Sequence, residues 1–281
     1  MAEIIDGKKI AADIRSSLKQ RIEELKKTRG RTPGIVVILV GNDPASQIYV
    51  RNKKRACEEV GISSRVHQLP ETVTQGALVS IIEGYNNDPE VDGILVQLPL
   101  PEQISEEQIQ NAIDPRKDVD GFHLLNEGAL FSGRSGVLSC TPQGIIELIR
   151  STGTEIEGKH AVVVGRSTIV GKPVAMMLLE NNATVTICHS RTPDLADKCA
   201  DADILVVATG QPELIGADHV KEGAVVIDVG TNRVGDSLVG DVDFEAVSEK
   251  AGYITPVPGG VGPMTIAMLL ANTVDSYERG H

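Results

Sequence analysis

Ile35-Val36-Val37-Ile38-Leu39-Val40 is an unbroken run of aliphatic, mostly β-branched residues. Such a run is typical of a strand that is buried on both faces of a parallel sheet. The turn cluster Gly41-Asn42-Asp43-Pro44 follows, and residues 45–61 then have the pattern of a helix that ends at Gly61. This order of strand, turn and helix predicts a βαβ unit of an α/β protein.

The predicted helix over residues 45–61 carries a lysine on its inward face. Tyr49, Lys53, Ala56 and Val60 recur at helical spacing and form one narrow face, which we expect to be buried. Burial favours the neutral amine of a lysine, and a neutral amine can accept a proton. The position alone favours the other interpretation, a snorkelling lysine whose stem packs while its amine reaches water.

Strands and helices alternate around this segment. The other elements predicted for the first half are a helix over residues 7–29, a strand over 65–69, a helix over 74–85 and a strand over 93–98. Ligands of parallel sheets bind at the carboxyl ends of the strands, where Gln97 and the 41–44 turn lie. Residues 99–139 are less regular and contain Asp120 in an Asp-Gly pair, which is turn chemistry.

Composition excludes several classes of protein. The chain has 281 residues, a net charge of −12 and no tryptophan, so its core is aliphatic and its surface does not suit nucleic acid. No apolar run is long enough for a membrane span, and we expect no secretory signal. The four cysteines lack a C-x-x-C pair and the histidines lack ligand spacing, which predicts reduced cytoplasmic thiols and no metal site.

A second alternation of strands and helices begins near residue 140. Cys140-Thr141-Pro142 predicts a helix start with Thr141 as its cap. The strand over 160–164 is followed by a turn over 165–172 and a helix over 173–180, the context of a dinucleotide-binding turn. The glycines depart from G-x-G-x-x-G, so a tight turn without a ligand stays possible. Further strands are predicted over 183–188, 203–208 and 224–229, and a terminal helix over 264–278.

The end of the strand over 183–188 indicates which dinucleotide the turn would bind. NAD-binding domains usually place an acidic residue there for the ribose hydroxyls. Here the residues are His189, Ser190 and Arg191, and Arg166 lies in the turn itself. Two arginines and a serine suit a 2′-phosphate, which predicts NADP, whereas a solvated polar loop is the plain alternative.

Six segments match a known family in order. They are Val40–Ser46 with Tyr49 and Lys53, Leu95–Pro101, Lys117–Gly121, Cys140–Pro142, Gly165–Pro173 and Pro256–Thr265. Over essentially its whole length the chain resembles the bifunctional methylenetetrahydrofolate dehydrogenase/methenyltetrahydrofolate cyclohydrolases. It departs at Ser139, where the family often has proline, and at Thr231, where isoleucine is common.

The resemblance implies an α/β fold of two domains with folate in the cleft between them. It implies a folate-binding catalytic domain of parallel βαβ units over residues 1–139, joined by the last helix over 263–281, and a Rossmann-type NADP domain over 140–262. It also implies hydride transfer from 5,10-methylenetetrahydrofolate to NADP⁺, followed by hydrolysis of the methenyl product to 10-formyltetrahydrofolate. Finally, it implies a cytoplasmic homodimer that forms through the NADP domain and acts in one-carbon metabolism and purine biosynthesis.

The resemblance also implies roles for individual residues. Lys53 is the catalytic base, oriented by Tyr49 and Gln97, and Asp120 accepts hydrogen bonds from the pterin. The expected substrate-binding residues are Ser46, Tyr49, Asp120, Pro258, Gly259 and Gly260. The expected cofactor-binding residues are Gly165, Arg166, Ser167, Ile169, Ser190, Arg191 and Thr231. The exposed cations Arg51, Lys54 and Arg55 either attract a polyglutamate tail or form a solvated helix face.

Three other functions stay open on the sequence. One is a monofunctional NADP dehydrogenase of the same family, although Lys53, Gln97 and Asp120 are all present. A shikimate-type NADP dehydrogenase is another, and the loop over 256–265 argues against it. The third is a non-catalytic nucleotide-binding regulator, in which an inward lysine has no evident use.

Overall fold

A computed structural model describes residues 1–235 and 237–280, which form two compact units. The three-stranded unit comprises Asp13–Cys140 and the chain from Ile266 onward, and the six-stranded unit comprises Met1–Ala12 and Thr141–Thr265. The predicted class, a two-domain α/β protein with parallel sheets, is confirmed.

The helices and strands follow the predicted alternation. In chain order they are β1 (Glu3–Ile4), α1 (Gly7–Arg29), β2 (Gly34–Val40), α2 (Pro44–Val60), β3 (Ser63–Leu69), α3 (Gln75–Asn86), β4 (Gly93–Val96), α4 (Glu106–Ala112), α5 (Leu124–Phe131), α6 (Cys140–Ser151), β5 (His160–Val164), α7 (Gly171–Glu180), β6 (Thr184–Cys188), α8 (Leu195–Cys199), β7 (Ile204–Val207), β8 (Val225–Asp228), β9 (Asn232–Val234), β10 (Ser237–Val239), α9 (Phe244–Ser248), β11 (Tyr253–Ile254) and α10 (Val261–Arg279).

The three-stranded sheet has the order β3-β2-β4, and both pairings are parallel. All seven residues of the central strand β2 are buried, as its unbroken apolar sequence predicts. Leu78 and Ile82 of α3 pack with β2 and β4 in one aliphatic core. From β2 the chain continues to β3 on one side, and it then crosses to the other side of β2 to form β4. This order places the carboxyl ends of β2 and β4 side by side.

The six-stranded sheet has the order β1-β11-β8-β7-β5-β6, and every pairing is parallel. Strand β1 joins its edge because Ile4 is in register with Ile254. The N-terminal twelve residues therefore belong to this unit, whereas the predicted first domain began at residue 1. The physical reason is a short edge strand, too brief to leave a periodic pattern in the sequence.

The last helix, α10, crosses from the six-stranded unit into the three-stranded one. There the Asn272 amide donates to the carbonyls of Val119 and Leu138, both at 2.9 Å. The Ser276 hydroxyl donates to the carbonyl of Asp92 at 2.7 Å. These bonds tie the C-terminal helix to the first half of the chain, which confirms its predicted return to that half.

Two local predictions were wrong. Residues 99–139 contain two short helices, α4 and α5, whose first turns are capped by Ser105 and His123 and whose brevity hides their periodicity. Helix α6 begins at Cys140, so Thr141 lies inside the first turn and is not its cap. The Thr141 hydroxyl instead forms a 2.9 Å hydrogen bond with the hydroxyl of Thr265.

Candidate active site and dinucleotide pocket

Helix α2 starts where its sequence dictates. The Asp43 carboxylate accepts the backbone N–H of Ser46 at 2.7 Å, and Pro44 occupies the first turn, where no N–H is needed. Gly61 ends the helix with φ 91°, a left-handed conformation that favours glycine. These caps fix the start and the end of the helix, and thereby the direction in which Lys53 points.

The inward face of α2 differs from the predicted one at its start. Ser46, Val50, Lys53 and Val60 are buried, whereas 55% of Tyr49 is exposed. The prediction that Tyr49 lies in the buried face was wrong, because Ser46 and Val50 take the inward positions of the first two turns. Tyr49 lies at the margin of that face, about 40° around the helix from Lys53.

Lys53 is buried and bonded to a neutral amide. Only 8% of the lysine is exposed, and its Nζ donates to Oε1 of Gln97 at 3.1 Å. The Gln97 amide nitrogen in turn donates to the carbonyl of Leu98 at 2.8 Å. The glutamine carbonyl is thereby held toward the lysine. Lys53 follows β2 and Gln97 follows β4, so the order of the sheet brings them together.

The low exposure of Lys53 decides between the two interpretations of its position. A snorkelling lysine carries its ammonium into water, but this side chain ends against the Gln97 amide instead. An amide carbonyl satisfies one donor without neutralising a charge. The site therefore holds an amine that no carboxylate hydrogen-bonds in the described part of the chain.

Asp120 is electrostatically coupled to the same lysine. Burial raises the pKa of its carboxyl above the ordinary aspartate value, the positive charge of Lys53 opposes that shift, and Asp118 adds to it. Asp118 itself organises the loop, because its carboxylate accepts the N–H groups of Gly121 and His123 at 3.1 and 2.8 Å. The structure thus brings together Lys53, Gln97 and Asp120 within one unit.

The remaining predicted substrate residues fall into two places. Ser46 is buried in α2 with its hydroxyl 3.5 Å from the carbonyl of Leu98, the same carbonyl that anchors Gln97. Pro258, Gly259 and Gly260 belong to the six-stranded unit. There a Cβ on Gly7 would lie 1.9 Å from the Gly260 oxygen, so the loop and the start of α1 are in backbone contact. Helix α10 begins at Val261, which shortens the predicted loop.

A pocket of about 530 Å³ lies at the carboxyl ends of β5 and β7, within the six-stranded unit. After β5 the chain continues on one side to β6 and later returns on the other side to β7, so this is a topological switch point, where α/β sheets bind ligands. The lining residues are Val164, Gly165, Arg166, Ser167, His189, Ser190, Thr192, Leu195, Ala208, Thr209, Gln211 and Leu214.

Two glycines make the turn of this pocket possible. Gly165 has φ 134°, and a Cβ there would lie 2.3 Å from the carbonyl oxygen of Ala208. A Cβ on Gly171 would lie 2.4 Å from the oxygen of Gly165. The Ser167 hydroxyl accepts the N–H groups of Val170 and Gly171, both at 3.2 Å. The turn therefore packs directly on the first residue of α7.

The pocket contains four of the seven predicted cofactor residues. Gly165, Arg166, Ser167 and Ser190 line it, whereas Ile169, Arg191 and Thr231 do not. The backbone N–H of Arg191 donates to Nδ1 of His189 at 3.1 Å, so Arg191 shapes the loop next to the pocket. The wall formed by Thr209 and Gln211 was not predicted from the sequence, although both residues follow β7 and ligands of parallel sheets bind at strand ends.

The charge of the pocket lining favours an anion. Among the described lining residues Arg166 is cationic, and neither aspartate nor glutamate is present. Across the described ranges, no cluster of three His, Cys, Asp or Glu side chains is placed to hold a metal ion. Every helix in those ranges is too short or too polar to span a bilayer.

The six-stranded unit has a parallel sheet with a glycine turn and a cationic pocket at its switch point, and the three-stranded unit has a buried lysine. Together these features define the class of two-domain dinucleotide-dependent enzymes. The tetrahydrofolate dehydrogenase/cyclohydrolase catalytic-domain model matches residues 5–120, and the NAD(P)-binding-domain model of the same family matches residues 139–281. The chain belongs to the tetrahydrofolate dehydrogenase/cyclohydrolase family, and the predicted resemblance is confirmed.

Individual relatives agree along the whole chain. The chain is 60% identical to the bifunctional protein FolD of Moorella thermoacetica over 279 residues, with 99% of both chains covered. Identity to the Bacillus subtilis protein of the same name is 56%, over 99% of this chain and 98% of the relative. The FolD structure from Campylobacter jejuni has a TM-score of 0.97 and 50% identity, with 99% of both chains covered.

More distant structures share the fold. The enzyme from Trypanosoma brucei, solved with NADP and an inhibitor, has a TM-score of 0.94 and 42% identity over 99% of this chain and 98% of that one. A shikimate dehydrogenase from Thermus thermophilus has a TM-score of 0.52 and 17% identity over 87% of this chain and 99% of that one, which is a likeness of fold alone. The comparisons thus favour the folate family over the shikimate-type alternative.

Proposed function

We propose that the chain oxidises 5,10-methylenetetrahydrofolate with NADP⁺ and hydrolyses the resulting 5,10-methenyl cation to 10-formyltetrahydrofolate. The observation that carries the proposal is the buried Lys53 amine at 3.1 Å from the Gln97 amide, with Asp120 coupled to the same charge. Membership of the dehydrogenase/cyclohydrolase family supports both activities. The proposal makes this chain a bifunctional enzyme of one-carbon metabolism.

Lys53 serves the hydrolysis. Water that adds to the methenyl carbon must lose a proton, and a positioned amine can accept it. Gln97 holds the amine in place without fixing it as an ammonium, because an amide carbonyl carries no formal charge.

The other predicted residues of the three-stranded unit orient the folate. Asp120 is an acceptor for the amino and ring N–H groups of the pterin, and burial strengthens such bonds. Tyr49 is half-exposed one turn before Lys53, where its ring and hydroxyl are free to meet a ligand. The Ser46 hydroxyl donates to the carbonyl of Leu98, which also accepts the amide of Gln97. Pro258, Gly259 and Gly260 are also proposed to contact the folate.

The residues around the glycine turn fit a phosphorylated dinucleotide. Gly165 lets the turn pack against the carbonyl of Ala208, and α7, a ten-residue helix whose first N–H groups can bind a phosphate, begins immediately after the turn. Arg166 and Ser190 line the pocket and suit a 2′-phosphate, and Arg191, Ile169 and Thr231 complete the proposed set. NADP⁺, when bound, accepts a hydride from the methylene carbon of the substrate. NADP is also the cofactor solved with the Trypanosoma brucei relative.

The cations of α2 do not face the proposed site. Arg51, Lys54 and Arg55 are exposed, but each lies at least about 120° around the helix from Tyr49. This placement favours the solvated helix face over steering of a polyglutamate tail. Folates with and without polyglutamate tails are both included in the proposed substrate class.

The finer biological assignments follow the family. The proposed enzyme is a cytoplasmic homodimer joined through its dinucleotide-binding domain, and its product supplies formyl groups for purine biosynthesis. The measurement for the assembly is light scattering of the purified chain. A mass of one chain at micromolar concentration contradicts the dimer and leaves the proposed reactions untouched.

The deciding assay supplies methylenetetrahydrofolate with NADP⁺ or NAD⁺ and follows methenyl absorbance. The proposal predicts rapid formation of the methenyl compound with NADP⁺, then its decay faster than in buffer alone. Formation with an uncatalysed rate of decay identifies the monofunctional dehydrogenase. No formation with either cofactor contradicts the proposal.

A further inference from the structure

Two buried aspartates meet at the carboxyl edge of the six-stranded sheet, outside the residues assigned above. Asp228 ends β8 and is 3% exposed, and Asp241 follows β10 and is fully buried. The Asp228 carboxylate accepts the backbone N–H of Asp241 at 2.9 Å and that of Val242 at 3.0 Å. It also accepts the N–H of Gly230 at 2.9 Å. Asp228 thus holds the backbone that carries Asp241.

Asp241 in turn holds the wall of the dinucleotide pocket. Its Oδ2 accepts the N–H of Thr209 at 2.6 Å and that of Gly210 at 2.9 Å. Its Oδ1 accepts the side-chain amide of Asn232 at 2.8 Å. Thr209 lines the pocket, as does Gln211 two residues later. Hydrogen bonds to an ionised carboxylate are about twice as strong as neutral ones. The Asp241 side chain can therefore hold the loop that follows β7 in place.

The neighbouring glycines make room for these carboxylates. A Cβ on Gly230 would lie 2.2 Å from Oδ1 of Asp241, and a Cβ on Gly240 would lie 1.7 Å from Oδ2 of Asp228. Each glycine therefore allows a carboxylate to reach the backbone. Burying two carboxylates costs free energy unless donors satisfy them, and six N–H donors do so here.

We infer that Asp241 is a positioning residue for dinucleotide binding, fixing the Thr209–Gln211 wall of the pocket, and that Asp228 keeps Asp241 in place. The inference rests on the proposed function, because it names NADP as the ligand of that pocket. It predicts a selective loss: the NADP reaction weakens while hydrolysis of methenyltetrahydrofolate, which uses no dinucleotide, continues.

Substitutions at Asp241 separate positioning from folding. Asp241→Ala removes all three acceptor contacts and is expected to raise the KM and the Kd for NADP at least tenfold, with methenyl hydrolysis within about twofold of wild type. Asp241→Asn keeps an acceptor for Thr209 and Gly210, and its amide can donate to a rotated Asn232. We therefore expect this variant to restore the KM to within about threefold.

Asp203→Asn is the matched control. The Asp203 carboxylate accepts the backbone N–H of His160 at 3.0 Å at the amino ends of β5 and β7, whereas the pocket lies at their carboxyl ends. This variant should leave the Kd for NADP unchanged. If Asp241→Ala does not fold, Asp241→Ser replaces it with the same expected split. Wild-type affinity in the alanine or serine variant, or an equal loss of both activities, overturns the inference alone. A wild-type protein that does not bind NADP overturns the proposed function as well.

Discussion

At the scale of single residues, two adjacent lysines of α2 have different surroundings. Only 8% of Lys53 is exposed, and its Nζ donates to the Gln97 amide oxygen. Its neighbour Lys54 is exposed, and its Nζ lies 3.9 Å from Oε1 of Glu58. The sequence predicted the inward lysine because helical spacing is regular. It could not predict that Tyr49 is half-exposed, because the inward stripe is shared by residues as different as Ser46 and Val50.

Arg166 tests the dinucleotide pocket at the same scale. Arg166→Ala is expected to raise the KM for NADP by about 10- to 100-fold, because one charge-assisted contact to a phosphate contributes about 1.5–3 kcal/mol. The KM for NAD, which lacks the 2′-phosphate, should stay within about twofold. Arg191→Ala should change the NADP value less, because Arg191 does not line the pocket. Equal losses with the two cofactors would remove the 2′-phosphate from the assignment.

At the scale of elements, most of the fold could be predicted because its strands are apolar runs and its long helices are periodic. The bounds of α1, β2 and β5 match within a residue. The short elements could not be predicted: β1 has two residues and pairs with β11, a strand about 250 residues away in the chain. The Thr209–Gln211 wall is a loop, and its position depends on a distant carboxylate and not on local sequence.

Gly171 tests the packing of the pocket turn on α7. Gly171→Ala places a Cβ 2.4 Å from the oxygen of Gly165, so the turn must move. We expect an unfolding free energy about 1–3 kcal/mol lower and at least tenfold weaker NADP binding, measured by urea titration and calorimetry. Gly84→Ala in α3 is the control, because its new Cβ would meet no atom within 4 Å outside the neighbouring backbone of its own helix. It should gain about 0.5–1 kcal/mol. Equal behaviour of the two variants would refute the packing argument.

At the scale of the whole molecule, the buried acids predict how stability changes with pH. Burial raises the pKa of Asp228 to about 6, and the charge of Asp241 adds to this, against the three N–H groups that Asp228 accepts. A folded pKa above the unfolded value of 3.8 means that the native state binds the proton more tightly. The stabilisation from this group is therefore present below about pH 4 and is lost as the pH rises through about 6.

The corresponding measurement compares unfolding free energies of wild type and Asp228→Asn between pH 4 and 7. The contribution of this one carboxyl falls by about 2 kcal/mol across that window in the wild type. The asparagine does not titrate, so the difference in unfolding free energy between wild type and Asp228→Asn should narrow as the pH rises. A difference that stays constant across the window would show that Asp228 does not titrate there.

The central claim for the whole molecule is that Lys53 is the base for hydrolysis. Its most direct test is the rate of methenyltetrahydrofolate hydrolysis by Lys53→Met, a substitution that keeps the buried stem and removes the amine. Lys54→Met, at about 100° around α2, is the matched control and should hydrolyse at the wild-type rate. We expect at least a 100-fold loss for Lys53→Met, the usual scale of a missing general base. Hydrolysis by Lys53→Met at the wild-type rate would contradict the central claim.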